Sequence, residues 1–462
     1  MLDPKALFPN ATPEKLRVLE NAPKKRMTII KENEYKESLA TDDPRYVATT
    51  QARDDKFERH FYNSFGYDMD DGEFDPPDSR HVLFFGHVGC GKSTELAHLC
   101  KTLHHPDRYW VVSVNLIQLI DWHNVNYSDV WLAVAQILVQ QLEREGIPID
   151  EIILKRLQNW FTEKVFSDEK IKGFDVELKT EAEIGSGLPL IGKLLARFTG
   201  AIRTASTYRE TIRRVVHNSY GEYISALNML FSAAVSAIQF RNKGKQLLIA
   251  IDGPDRFRGD DWHKFFISDG IQLTQAQCVT VYTAPMALKS DGRLLASFEN
   301  VVLPMVKLRD YPQDARREVA YTTMRQIILN RCHYGLFDRV ETLDALIDYS
   351  GGHLRDALRL LTYACSELDG TQFEQATVDA AANRMAGDFR DWLQIRYYPI
   401  LVAEDQKVKN LGCDEEINKL IEDGALLVYN SGTWRKTHPV IPLLAGYQHA
   451  LAESNKLQSN PA

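Results

Sequence analysis

The run G-H-V-G-C-G-K-S-T, Gly86 to Thr94, carries the densest chemical signal in the sequence. Gly86, Gly91, Lys92 and Ser93 fall on the spacing G-x-x-x-x-G-K-[ST], and Gly89 adds a further glycine inside the loop. Glycines here let a turn present consecutive backbone N–H groups to an anion, and a helix opening at Lys92 adds the positive end of its dipole. A lysine at this place reaches β- and γ-phosphates, and the adjoining hydroxyl ligates Mg²⁺. Gly86, Gly89, Cys90, Gly91, Lys92, Ser93 and Thr94 are therefore the expected contacts of ATP, with Ser93 also on the metal. The Lys92 ammonium is expected to face solvent when the loop is free. His87 and Cys90 read as loop filler rather than as ligand or nucleophile.

Such a cradle needs a second acidic group for magnesium and a base to orient water, and the stretch "LLIAIDGPDRF" offers both. Asp252 ends an apolar run, which suits it to the metal. Asp255 follows three residues later, past a Gly-Pro turn that brings a carboxylate back toward the γ-phosphate. Standing alone, the segment would read as a strand closed by an ordinary Asp-Gly turn. The next apolar run, "VTVYTAP", leaves the hydroxyl of Thr283 near its end.

These groups must be positioned by strands and helices in alternation. "HVLFFG", "YWVVSVNL", "KQLLIAID" and "CVTVYTAP" read as buried strands, separated by helical patterns such as "SDVWLAVAQILVQQLERE". That order predicts an α/β fold, a doubly wound parallel sheet with helices on both faces. The expected division is an N-terminal extension over 1–60, a core over 61–306 with a helical insertion at about 150–240, a helical segment over 307–385, and a mixed closing unit over 386–462. Within the insertion, an apolar segment carrying Lys193, Arg197 and Arg203 follows "EAEIGSG". It reads as a core helix with a glycine hinge; a membrane-surface helix is the lesser alternative.

At 462 residues the chain calls for two to four packing units. A formal net charge of −8 argues against a surface that wraps nucleic acid by bulk charge. The six cysteines form no C-x-x-C pair, so they read as reduced, buried thiols. The N-terminus has no signal-peptide pattern and no run of eighteen apolar residues occurs, so a cytoplasmic protein without a membrane partner is expected.

The P-loop together with Asp252-Gly253-Pro254-Asp255 resembles the signal-transduction ATPases with numerous domains and the neighbouring initiator-type AAA+ ATPases. The strand-ending aspartate followed by a small residue and then a second acid matches the former; Gly253 stands where most AAA+ proteins have the catalytic glutamate. The resemblance implies that Thr283 is the polar sensor beside the γ-phosphate. It also implies that "MRQIILNRCHYGLF" and "LIDYSGGHLRDALRLLTYACSEL" are elements of a helical lid. Arg331 then falls on the basic residue of the first element, and Arg355 on the arginine that reaches the phosphates from the second. The pair Gly351-Gly352 can serve as the hinge, and Arg359 fits a surface arginine. The terminal "LIEDGALLVYNSGTWRKTHPVIPLLAGY" is similar to a small winged-helix unit, in which His438 reads as a packed residue. Two functions follow. One is an ATP-dependent regulatory switch that assembles with itself and with a separate effector protein, as in bacterial anti-phage defence. The other is an initiator or loader that binds nucleic acid through the C-terminal unit.

Overall fold

The computed structural model describes residues 2–34, 38–40, 42–54, 56–121, 125–165, 187–204, 206–257, 260–311, 313–406, 412, 414–430 and 434–459. The expected glycine hinge at "EAEIGSG" falls largely outside these residues, as do residues 431–433. In chain order the elements that bear on function are α1 (Thr50–Arg53), β1 (Arg80–Gly86), α2 (Lys92–Leu103), β2 (Tyr109–Asn115), α3 (Tyr127–Arg144), α4 (Leu188–Thr204), α5 (Tyr220–Phe240), β3 (Gln246–Asp252), β4 (Val279–Pro285) and β5 (Glu299–Val302). There follow β6 (Arg309–Asp310), β7 (Ala315–Arg316), α6 (Glu318–Leu329), α7 (Val340–Ser350), α8 (Leu354–Glu367), α9 (Gln375–Trp392), α10 (Tyr397–Gln406), α11 (Glu415–Glu422), β8 (Leu426–Tyr429), β9 (Trp434–Thr437) and α12 (Ala445–Ser459).

The chain packs as two compact units. One comprises residues 59–85 and 95–301; the other comprises 1–58, 86–94 and 302–462.

The first unit holds a five-stranded sheet in the order β2-β3-β4-β1-β5. β2 pairs with β3, and β3 with β4, in parallel. The Arg80 N–H at the start of β1 donates to the carbonyl of Cys278, just before β4, and the Arg80 guanidinium meets Glu299, the first residue of β5. The strand starts thus lie side by side, and β1, β3 and β4 all end at one edge. Near-continuous burial along β1, β3 and β4 shows that both faces of the sheet are covered. The fold is α/β, as the alternation of apolar runs predicts.

α4 buries Leu190, Ile191, Leu194, Leu195, Phe198 and Ile202 within this unit, which settles its reading as a core helix. α5 is long and apolar enough to cross a membrane, yet it buries Tyr223, Leu227, Leu230, Phe231, Ala234 and Ile238 beside β3. α3 is opened by a capping box between Asn126 and Asp129.

In the second unit, α6 to α9 form a helical array that buries Met324, Ile328, Leu346, Leu360, Leu361, Ala382 and Met385. Downstream, α11 leads into the antiparallel hairpin β8–β9, whose register pairs Leu426 with Thr437 and Tyr429 with Trp434, before α12 ends the described chain. The N-terminal residues belong to this unit: Arg26 donates to the Leu368 carbonyl, and the His333 N–H donates to Pro23.

Candidate functional site

The glycine loop is built of reversed backbone and close approach. Gly89 and Gly91 sit at φ of 96° and 98°, in the left-handed region where side chains are strained. A Cβ on Gly89 would lie 2.8 Å from the Arg355 side chain, and one on Gly91 would lie 3.0 Å from Leu354 Cδ1. The start of α8 therefore rests on the loop. Cys90 is 1% exposed, and its Sγ would sit 3.0 Å from a Cβ on Gly86, so its thiol is packing, consistent with filler. At the loop's far end, the Thr94 hydroxyl accepts the Leu39 N–H at 3.2 Å.

Lys92 departs from its expected exposure. It is 3% exposed, and its Nζ donates to the carbonyls of Gly86 at 2.7 Å and His87 at 2.9 Å. A buried ammonium needs acceptors, and the turn's own carbonyls are the nearest. The lysine is thereby held inside the curve where a phosphate would sit.

Three supports for the loop come from far along the sequence, and all lie in the same unit. Arg53, at the end of α1, is 1% exposed. Its guanidinium donates to the Cys90 carbonyl at 2.7 Å, to Thr49 Oγ1 at 2.7 Å, and to the carbonyl of Pro304. His353, the N-cap of α8, places Nε2 3.1 Å from the Val88 carbonyl, and the Arg355 N–H donates to Gly89 at 3.2 Å. His87, read as filler, is 5% exposed and accepts the Val428 N–H on Nε2 at 2.9 Å. Burial, then the charges of His353 and Lys92, push its pKa down to about 3, so the ring is neutral with its proton on Nδ1. Nothing in the sequence marked Arg53, which sits in a charged stretch of ordinary appearance. The position of His87 inside the loop was the only available signal for it.

In the sheet unit, Asp252, Asp255 and Thr283 meet at the ends of β3 and β4. The Thr283 hydroxyl accepts the Gly253 N–H at 2.9 Å and donates to Asp255 Oδ1 at 3.1 Å. Thr283 is fully buried and Asp255 is 6% exposed, whereas Asp252 is half-buried. Gly253, at φ 115°, makes the reversal that a side chain would strain. Asp255 and Thr283, both singled out from sequence, are thus joined directly, with a hydroxyl fixing the second carboxylate, while Asp252 stands next to the bonded Gly253.

Of the remaining candidates, Arg359 and His438 share Asp356 as a partner. Arg355 is exposed, with its side chain against Gly89. Arg331 follows α6, is 8% exposed, and donates Nη1 to the Ile327 carbonyl at 2.8 Å. Burial and the neighbouring Arg45 lower its pKa to about 10, with Asp43 opposing. Arg359 pairs with Asp356 at 3.1 Å and Asp388 at 2.9 Å. The pair Gly351-Gly352 forms a packed left-handed corner: a Cβ on Gly352 would strike the Val306 carbonyl at 2.0 Å, and Tyr429 donates to the Gly351 carbonyl at 2.6 Å. His438 is fully buried against Phe389, as expected of a packed residue, with its Nε2 3.3 Å from Asp356 Oδ2. Asp356 also lies 2.7 Å from His353 Nδ1. Burial opposes its ionisation, but these two rings outweigh burial and hold the carboxyl well below the usual range.

The donor set suits a triphosphate with magnesium: turned glycines, a confined ammonium, and a hydroxyl at the head of α2. Among the described residues no group of three or more His, Cys, Asp or Glu gathers to hold a metal by itself.

No protein-family model and no curated protein matches the sequence. Among solved structures, the chain aligns with the ORC2 protein of Aeropyrum pernix in ADPNP and ADP complexes, at 12% identity over 94% of this chain and 100% of that one, TM-score 0.36. It aligns with the Walker-type ATPase paby2304 of Pyrococcus abyssi at 13% identity over 89% and 99%, TM-score 0.39. It also aligns with Cdc6p from Pyrobaculum aerophilum at 12% identity over 98% and 99%, TM-score 0.28.

Proposed function

We propose that the protein binds ATP with Mg²⁺, hydrolyses it, and uses the bound state to control assembly with itself or with an effector protein. The carrying observation is the confined Lys92 within a glycine loop whose two left-handed turns leave no room for side chains. In this reading the backbone N–H groups of Gly89 to Thr94 and the Lys92 ammonium take the phosphates. Ser93 and Asp252 are the oxygens that would hold magnesium, which would neutralise phosphate charge. Asp255 orients the attacking water and accepts its proton, with Thr283 keeping the carboxylate aimed. Arg355 answers the triphosphate; for Arg331, buried on the Ile327 carbonyl, only the resemblance supports a part in binding. The anti-phage setting follows from the resemblance alone.

The loader reading is less well supported. The feature that favours it is the basic run "TWRKTHP", but Arg435 is buried and paired with Glu404 at 2.9 Å, and Trp434 stacks on Tyr311. Of that run's cations, Lys436 is the exposed one. A titration of Mg²⁺-ATP against the full chain, with phosphate release followed in parallel, tests the proposal. Saturable binding and slow release that both vanish in Lys92→Ala support it; release unchanged in that variant overturns it.

A further inference from the structure

The phosphate loop is fastened to the C-terminal part of its own unit by a side chain that its motif does not specify. The His87 ring faces this part from two sides: Nε2 accepts the Val428 N–H of β8, and the Ile421 carbonyl in α11 favours the ring's proton. Val428 pairs in register with Arg435 of β9, yet its N–H turns outward to His87 rather than into the hairpin. The same residue supplies one of the two carbonyls that hold Lys92 Nζ. Next along the loop, Val88 and Gly89 are tied to the head of α8 through His353 and the Arg355 N–H. Residues 87 to 89 are thus fixed from the C-terminal side at consecutive positions.

We propose that His87 is a positioning residue for the phosphate loop, and that the corner between α11 and β8 is a working part of the nucleotide site. This rests on the ATP-binding reading above. A shift of the ring moves the His87 carbonyl and with it the lysine that meets the phosphates. The coupling is reciprocal by thermodynamic necessity. If a seated corner favours the phosphate-holding loop, bound phosphate must favour the seated corner, and the Val428 amide reports it.

The test is amide hydrogen exchange on the full chain, following the peptide from Ile421 to Tyr429 with and without a non-hydrolysable ATP analogue and Mg²⁺, beside a direct titration of the analogue. Exchange should slow about tenfold on binding, the factor one hydrogen bond of ordinary strength supplies. His87→Leu should exchange about tenfold faster without nucleotide, lose the nucleotide-dependent slowing, and bind the analogue about tenfold more weakly. His87→Gln keeps a donor and an acceptor and should restore most of both effects. A purely structural histidine would shift baseline exchange yet leave the nucleotide-dependent part intact, and that result overturns the proposal. So does a wild type that binds the analogue with unchanged exchange over Ile421–Tyr429, a comparison that stands even if His87→Leu does not fold. A wild type that binds no nucleotide sinks the ATP reading itself, and the titration reveals this before any exchange is measured.

Discussion

The glycine loop and the acidic group at the end of β3 are both short motifs, but they are held in opposite ways. Gly253 and Asp255 are fastened by one hydroxyl, that of Thr283 on a neighbouring strand, within a sheet whose parallel pairing already brings β3 and β4 to a common edge. The loop is fastened by residues about 35, 265 and 340 positions away: Arg53, His353 and Val428. A local clasp can be altered with little effect beyond its own carboxylate. A loop hung from three distant elements transmits any change in its shape to them.

The sharpest break in this comparison comes from Lys92→Ala. It should abolish tight ATP binding, a loss of at least about a hundredfold, because two or more charge-assisted phosphate contacts disappear together. It also leaves the Gly86 and His87 carbonyls without their buried donor, so the unfolding free energy should fall by about 1–3 kcal/mol. Isothermal titration and chemical denaturation separate the two effects. A binding loss with no change in stability would show that the confined lysine is not part of how the loop is held.

On the acidic side, Asp255→Asn should lower turnover about a hundredfold with nucleotide affinity nearly kept, since the amide preserves volume and removes the charge that orients water. Thr283→Val should produce a smaller loss in the same direction, because it frees the carboxylate without deleting it. Equal losses in the two variants would mean that the hydroxyl acts directly on substrate rather than through Asp255. Normal hydrolysis by Asp255→Asn would assign the base elsewhere.

What the sequence made legible follows the same division. The strands were readable because runs such as "LLIAID" are apolar at every position, as buried parallel strands must be, and the acidic clasp follows from strand order. The loop was readable as a motif because its glycines are demanded by backbone geometry. Its supports were not readable. Arg53 owes its role to a fold that brings residues 1–58 into the unit of the loop, and Val428 contributes only a backbone N–H, which no sequence encodes. Lys92 was misjudged for a related reason: its exposure depends on acceptors that the turn creates. The Gly351-Gly352 pair was recognisable as special, but sequence does not distinguish a hinge from a corner packed under Val306.

Acid should discriminate the two regions by stability. Burial lowers His81, in the sheet unit, to about 4, and lowers His87 to about 3, both below the ordinary histidine value of 6.5. Between 6.5 and those values the unfolded chain binds more protons than the folded one, so stability falls as pH drops below 6.5. At pH 5 each ring then costs about 2 kcal/mol relative to neutral solution. Asp356, whose folded pKa is depressed, adds its own loss only as pH falls through the carboxylate range. His87→Gln should narrow the stability difference between pH 7 and pH 5 by that 2 kcal/mol and leave the share of His81 in place. An unchanged difference would mean that His87 is not the neutral buried ring its contacts describe.

The smallest effect belongs to Arg355, where side chain and backbone are separable. Its N–H donates to the Gly89 carbonyl whatever the side chain is, so Arg355→Ala keeps α8 docked on the loop. Arg355 is, by contrast, an exposed residue whose side chain lies against Gly89; in the proposed function it answers a γ-phosphate and adds little to a diphosphate. Charge-assisted contacts are worth about 1.5–3 kcal/mol, and exposure to screening solvent puts this one at the low end, about tenfold. Arg355→Ala should therefore weaken the ATP analogue about tenfold relative to ADP and shift analogue-dependent assembly, followed by light scattering, to correspondingly higher concentration. Arg355→Lys should recover only part, because a point charge does not reproduce the two-pronged grip of a guanidinium. If Arg355→Ala leaves the ratio of the two affinities unchanged, the loop distinguishes its ligands without α8, and only the backbone half of that contact matters.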